Sequence, residues 1–152
     1  LTKGRKGTEM FYDEVDANLK EGDEYIATSG TRISFKLQNY WFKQSEILAK
    51  MKIPQFLAYE YDVWHKKDPS AHKRKKRKNY FPKILDKKYK DLPTIITIGN
   101  YSVVSDLDDG GELFTLLIRN KNLTNALKRL LVVVRDSGNV PEGFEEKFKK
   151  NS

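Results

Sequence analysis

The sequence predicts an α/β domain, a mixed sheet of roughly five strands with helices packed against it. Two patterns carry that expectation. In the first half a short strand, a long amphipathic segment and a second strand follow one another, the order of a parallel βαβ crossover. In the second half three strand-like runs lead into one helical repeat of apolar residues.

Taken in order, Phe11, Val15 and Leu19 recur every four residues and predict a helix over 8–21, stopped by Gly22. Tyr25 to Thr28 reads as a strand, and Ser29-Gly30-Thr31-Arg32 as a polar turn. Leu37, Tyr40, Trp41, Ile47, Leu48 and Met51 form the wide apolar face of a second helix, ended by Ile53-Pro54. Gln55 to Tyr61 is the next strand. Residues 79–93, with breakers Pro82 and Pro93, read as irregular. Thr94 to Ile98 is a β-branched run closed by Gly99-Asn100; Tyr101 to Leu107 and Leu113 to Arg119 complete two hairpins. Leu123, Ala126, Leu127, Leu130, Leu131 and Val134 then recur at helical spacing, with Asn122 as the expected N-cap. Ala126, Leu127, Leu130 and Leu131 are expected against the sheet. Residues 1–7 read as a linker, 8–135 as the domain, and 136–152 as a tail with weak helical character near Phe144 and Phe148.

Composition narrows the function. The 152 residues suit one domain, and 38% hydrophobic against 33% charged residues is polar without being disordered. There is no cysteine, which excludes disulfides, thiolate metal sites and cysteine nucleophiles, and fits a cytoplasmic setting. No run approaches the ~18 apolar residues of a membrane span, and the first residues lack the apolar core of a secretory signal. The net charge of +8 is concentrated: residues 66–78 hold eight Lys/Arg against one Asp, so the rest is nearly neutral. Three readings of this 66–79 basic loop stand side by side. It is a solvated loop, or a weak phosphate contact through Lys73, Arg74, Lys75, Lys76, Arg77 and Lys78, or a nuclear address.

The order and spacing of several short motifs resemble the effector domain of archaeal TrmB-like transcriptional regulators. Gly7-Thr8-Glu9, running through Val15 and Leu19 to Gly22-Asp23-Glu24-Tyr25-Ile26, resembles the family's entry helix and first strand. Tyr40 to Tyr61 resembles its long helix and following strand. Leu92-Pro93-Thr94 through Leu107 resembles its hairpin, and Ile118-Arg119-Asn120 onward its closing helix. The resemblance spans residues 4–135. It implies a catalytically silent, phospholipase D-like half-domain that senses a small molecule or dimerises. It also implies a DNA-binding winged helix outside this chain.

Catalytic motifs point the same way. Active phospholipase D enzymes need His-x-Lys-x-x-x-x-Asp, the His to attack phosphorus and the Lys to hold the phosphoryl charge. No His or Lys lies between Leu92 and Leu107, where the motif belongs. His72-Lys73-Arg74 with Asn79 mimics the spacing, but Asn cannot replace the acid, so the solvated-loop reading stands. No enzyme activity and no cofactor are expected. Asp106, Asp108, Asp109 and Glu112 share one turn but lack the full calcium-loop pattern, so they read as turn formers rather than metal ligands.

A small-molecule effector is expected in the crevice beyond the carboxyl ends of the parallel strands. Ser29, Thr31 and Arg32 follow the first of those strands; Tyr61, Asp62 and Trp64 follow the second. The sequence thus predicts a ligand-sensing or homodimerising effector domain. The alternative is a basic nucleic-acid-binding accessory module.

Overall fold

A computed structural model describes residues 1–66 and 74–149. The strands are β1 (Thr2–Lys3), β2 (Tyr25–Ser29), β3 (Gln55–Tyr59), β4 (Tyr80–Ile84), β5 (Thr94–Ile98), β6 (Tyr101–Leu107) and β7 (Leu113–Ile118). The helices are α1 (Gly4–Ala17), α2 (Thr31–Ser34), α3 (Gln38–Lys50), α4 (Tyr61–His65), α5 (Lys121–Asp136) and α6 (Glu145–Lys149). The seven strands form one mixed sheet in the order β1-β7-β6-β5-β2-β3-β4. β2, β3 and β4 run parallel, and every other pairing is antiparallel.

The α/β class and the parallel pairing around α3 are as the sequence predicts, but the sheet is larger. Residues 80–84 are not irregular: Phe81 pairs with Phe56 and Pro82 with Leu57. Pro82 is tolerated because β4 is an edge strand, where one missing N–H breaks no inner ladder. The expected linker holds β1, paired through Thr2 with Thr115, and the first turn of α1. That helix spans 4–17 rather than 8–21, and it ends at Asn18 ahead of Gly22. The strand expected over 55–61 stops at Tyr59, where α4 begins two residues later.

Alternation and register divide the sheet into two unequal faces. Tyr25, Leu57, Tyr59, Tyr80, Ile96, Ile98, Val103 and Leu117 point to the face covered by α1 and α3. There they join Tyr12, Val15, Tyr40, Trp41 and Leu48 in one buried cluster. Tyr12 packs edge-on to Trp41 at 5.0 Å. A chain of buried hydroxyls pins α1 to the sheet. Thr8 Oγ1 lies 2.6 Å from Thr115 Oγ1, Ser105 Oγ 2.9 Å from the same atom, and Tyr12 Oη 3.1 Å from Ser105 Oγ. Each hydroxyl can both donate and accept, so such a chain satisfies itself without water.

The opposite face is covered mainly by α5, with Phe148 over Phe81 at the β4 edge. Asn120, not Asn122, caps this helix: its side chain accepts from the Leu123 N–H at 2.9 Å, and its backbone is extended as an N-cap requires. Thr124 and Leu131 are buried beneath α5, and Ser102 Oγ donates to Thr124 Oγ1 at 2.8 Å. Leu127 is half-buried. Ala126 and Leu130 face away from the sheet, Leu130 being 62% exposed. The expected four-residue stripe is therefore rotated. The sheet-facing line runs through Thr124, Leu127, Leu131 and Arg135, with the Thr124 hydroxyl bonded to Ser102 beneath it.

The residues after α5 close the β4 edge. Ile84 and Asn139 exchange backbone hydrogen bonds at 2.8 Å. α6 then straddles the edge. Phe144 packs on Tyr80 from one face, and Phe148 meets Phe81 on the other. Lys147 Nζ donates to the carbonyls of Arg77 and Tyr80 at 2.6 and 3.2 Å. The expected tail is thus part of the fold as far as Lys149.

Candidate functional site

The crevice beyond β2 and β3 is organised by a residue that sequence reasoning missed. Glu60 is buried between the end of β3 and the start of α4. Its Oε2 accepts from the backbone N–H of Thr31 (2.9 Å) and Leu92 (3.1 Å). Its Oε1 accepts from Thr31 Oγ1 (2.8 Å) and the Asp91 N–H (3.2 Å). Four donors on one carboxylate satisfy it without a cation. They tie α2 and the loop before β5 to the end of β3. A Cβ on Gly30 would lie 1.8 Å from the Leu92 carbonyl oxygen, so only glycine lets that loop approach.

The predicted ligand residues surround this node. Thr31 is committed to Glu60. Arg32 reaches Asp106 Oδ2 at 2.7 Å and the Asp91 carbonyl at 3.3 Å. Ser29 accepts at its carbonyl from the Glu60 N–H. Tyr61 stacks on His65 at 3.8 Å, with Lys87 Nζ 4.8 Å above its ring. Asp62 sits in the first turn of α4. Trp64 lies between Tyr59 and Phe144, at 5.4 and 5.8 Å. Thr31 and Arg32 therefore meet at one spot, while Tyr61 alone borders a hollow of about 310 Å³ shared with His65, Leu85 and Asn139.

The basic segment divides. Residues 67–73, with His72 and Lys73, lie outside the described residues. Arg74 to Lys76 form one 3₁₀ turn. Lys75, Lys76 and Lys78 are exposed. Arg77 turns inward and donates to the Ser45 carbonyl and, at 3.3 Å, to Ser45 Oγ. In the acidic hairpin, Asp108 accepts from the Gly110 and Glu112 N–H groups and from Lys3 Nζ. The Glu112 backbone bond foremost, then Lys3, hold its carboxyl below the usual range. Among the described residues no cluster of His, Asp and Glu is suited to a metal, and no helix is long and apolar enough to cross a membrane.

A second hollow, of about 840 Å³, opens at the start of β3 and β4 on the α5 face. Phe56 and Phe81 stack at 5.3 Å to form its floor. Lys52, Arg77, Lys78, Arg135 and Phe148 surround them. Sequence reasoning missed these because Phe56 and Phe81 become neighbours only once β4 is known to be a strand.

Fold and sites together define an α/β domain with a one-sided core and a mixed sheet. No protein-family model matches the chain, and no curated protein matches it. Among solved structures it resembles TrmBL2, described as an archaeal chromatin protein with a novel mode of DNA binding. The TM-score is 0.66 at 11% identity, over 92% of this chain and 53% of that one. The chain thus shares the fold of about half of TrmBL2.

The Glu60 node generates a stability prediction. Glu60→Ala leaves three part-buried backbone N–H groups and the Thr31 hydroxyl without their acceptor, and an unsatisfied donor out of water costs about 1–3 kcal/mol. Urea unfolding should show a loss of more than about 3 kcal/mol, and Glu60→Gln a smaller one because a single acceptor oxygen remains. A loss within about 1 kcal/mol for Glu60→Ala would mean that the node holds nothing in place.

Proposed function

We propose that this chain is the non-catalytic, self-associating effector module of a TrmB-like regulator, joined in the regulator to a DNA-binding part outside these residues. The observation that carries the proposal is the outer face of α5. Leu123, Ala126, Leu130 and Val133 repeat at spacings of three and four, the seam of a two-helix contact. Leu123, Leu130 and Val133 are 47, 62 and 69% exposed. On the same side of the sheet as this helix lie half-buried Ile95, Val104 and Ile118 and exposed Leu116. Exposed apolar residues grouped along one helix face in this way mark an interaction site. A second copy is the partner that fits, because identical heptad seams are self-complementary about a two-fold axis. The likeness to TrmBL2 in fold supports the regulator setting. A small-molecule effector belongs to the same reading, and catalysis does not.

A second reading rests on the exposed Lys75, Lys76 and Lys78, which adjoin the rest of the basic segment. In it the segment adds a weak, sequence-independent phosphate contact, in line with the DNA binding named for TrmBL2.

Sedimentation equilibrium tests the first reading. The chain should show twice its 17.7 kDa mass at micromolar concentration. Leu130→Glu with Val133→Glu should give a monomer that keeps its circular dichroism, since neither side chain is in the core. A monomeric parent at every concentration rejects the pairing. A chromogenic phosphodiester should stay intact in the presence of either form, and turnover would reject the non-catalytic assignment.

For the second reading, Lys73, Arg74, Lys75, Lys76 and Lys78 are changed to Gln while Arg77, which holds the Ser45 carbonyl, is kept. Binding to random duplex DNA should weaken, and the slope of log affinity against log salt should flatten by about 0.9 for each phosphate that the variant no longer neutralises. An unchanged slope leaves the segment no role with polyanions.

A further inference from the structure

The hollow floored by Phe56 and Phe81 is built differently from the rest of the surface. Three aromatic rings line it, the third being Phe148, edge-on to Phe81 at 5.9 Å. Four cations border it, and no carboxylate does among the described residues. Its central cation is Arg135, in the last turn of α5. The guanidinium lies 5.1 Å from the Phe56 centroid and 5.6 Å from that of Phe148. Its Nη2 donates to the Phe81 carbonyl at 3.0 Å. Its Nε is buried and has no hydrogen-bond partner. The adjacent acid, Asp136, points to solvent and lies 3.9 Å from Lys83 instead.

Arg135 is half-buried, and a guanidinium N–H taken out of water with no acceptor is costly. Burial pulls its pKa down, and the charge of neighbouring Asp136 offsets this only in part. Lys52 and Lys78 are exposed at the rim, where they would meet the charged end of a ligand. The volume of about 840 Å³ lies in the range of small-molecule sites. A flat ring has aromatic faces and edges to pack against, and an anion has the unpaired Nε and the rim charges.

We propose that this hollow is a binding site for a small organic anion that joins a planar ring to a carboxylate or phosphate, seated between Phe56, Phe81 and Phe148 and paired with Arg135. The site lies at the opposite ends of the parallel strands from the Glu60 node. It does not depend on the pairing of α5, since Arg135 belongs to the sheet-facing side of that helix.

Isothermal titration tests this with naphthoate for the carboxylate source and adenosine monophosphate for the phosphate source. Naphthalenemethanol and adenosine serve as rings without charge, and inorganic phosphate as charge without a ring. At least one ring anion should bind, and more tightly than its neutral counterpart and than phosphate. Which of the two binds identifies the anionic group. Arg135→Gln should weaken that binding about tenfold or more, the scale of a charge-assisted pair. If Arg135→Gln fails to fold, Lys52→Gln with Lys78→Gln, both exposed, should still weaken it severalfold in a folded protein. Binding by neither ring anion overturns the proposal. So does equal binding of the neutral rings or of bare phosphate, or affinity that none of these substitutions moves. The mass measured for α5 pairing is unaffected by any of these results, so the two readings fail separately.

Discussion

The sheet changes its sense at β2, parallel to β3 on one side and antiparallel to β5 on the other, and the buried carboxylate of Glu60 ties together the segments that meet there. To enter β5 the chain must cross the ends of β2 and β3, where backbone N–H groups have no ladder to join. Glu60 supplies acceptors for two of them, at Asp91 and Leu92, and for the start of α2. Asp91 has a left-handed backbone, φ 57°, which an L residue adopts only when its surroundings hold it. Arg32 adds a bond to its carbonyl. The same node fixes the positions of Thr31 and Arg32, so stability and any chemistry of the crevice are bound together.

Around that frame the two faces of the sheet have opposite characters. One carries the aromatic and aliphatic cluster under α1 and α3. The other carries hydroxyls under α5, including Thr97, whose Oγ1 donates to the Ile26 carbonyl at 3.2 Å, and Ser102 beneath Thr124. Hydroxyl pairs position α5 but bury little apolar area, and what apolar residues the helix has lie mostly on its far side. This division places the exposed apolar residues of α5 and the interior on different sides of one sheet.

Much of the fold was legible in the sequence because its signals are local. The β-branched run Thr94–Ile98, the Gly99-Asn100 turn and the Asp-Gly turn after Leu107 each specify themselves. The β2-α3-β3 crossover was legible from the length of the helix. β4 was not, because Pro82 reads as a breaker and its tolerance at an edge is a property of the sheet. The two-residue β1 is too short to carry a pattern. The rotation of α5 was hidden because most of its apolar residues lie on the outward face, and only the seat of Thr124 on Ser102 decides which side turns inward. At the crevice, the sequence pointed to Thr31 and Arg32 but not to Glu60, whose role depends on backbone groups distant in the chain. The aromatic hollow depends on the β3–β4 register and was equally out of reach.

The clasp at the β4 edge concerns what this molecule avoids. An open parallel edge is a template for another strand, and a long bare one invites stacking of copies into fibres. Here one border is a strand of two residues, too short to template anything. The other is masked by Asn139 and by α6, with Lys147 occupying two carbonyls next to and within the strand. A cation at that position also repels an approaching strand of like charge. The sheet is thereby left with α5 and its neighbouring face as the open surface, so any contact made there is between side chains, which can be selective, and not between backbones, which cannot.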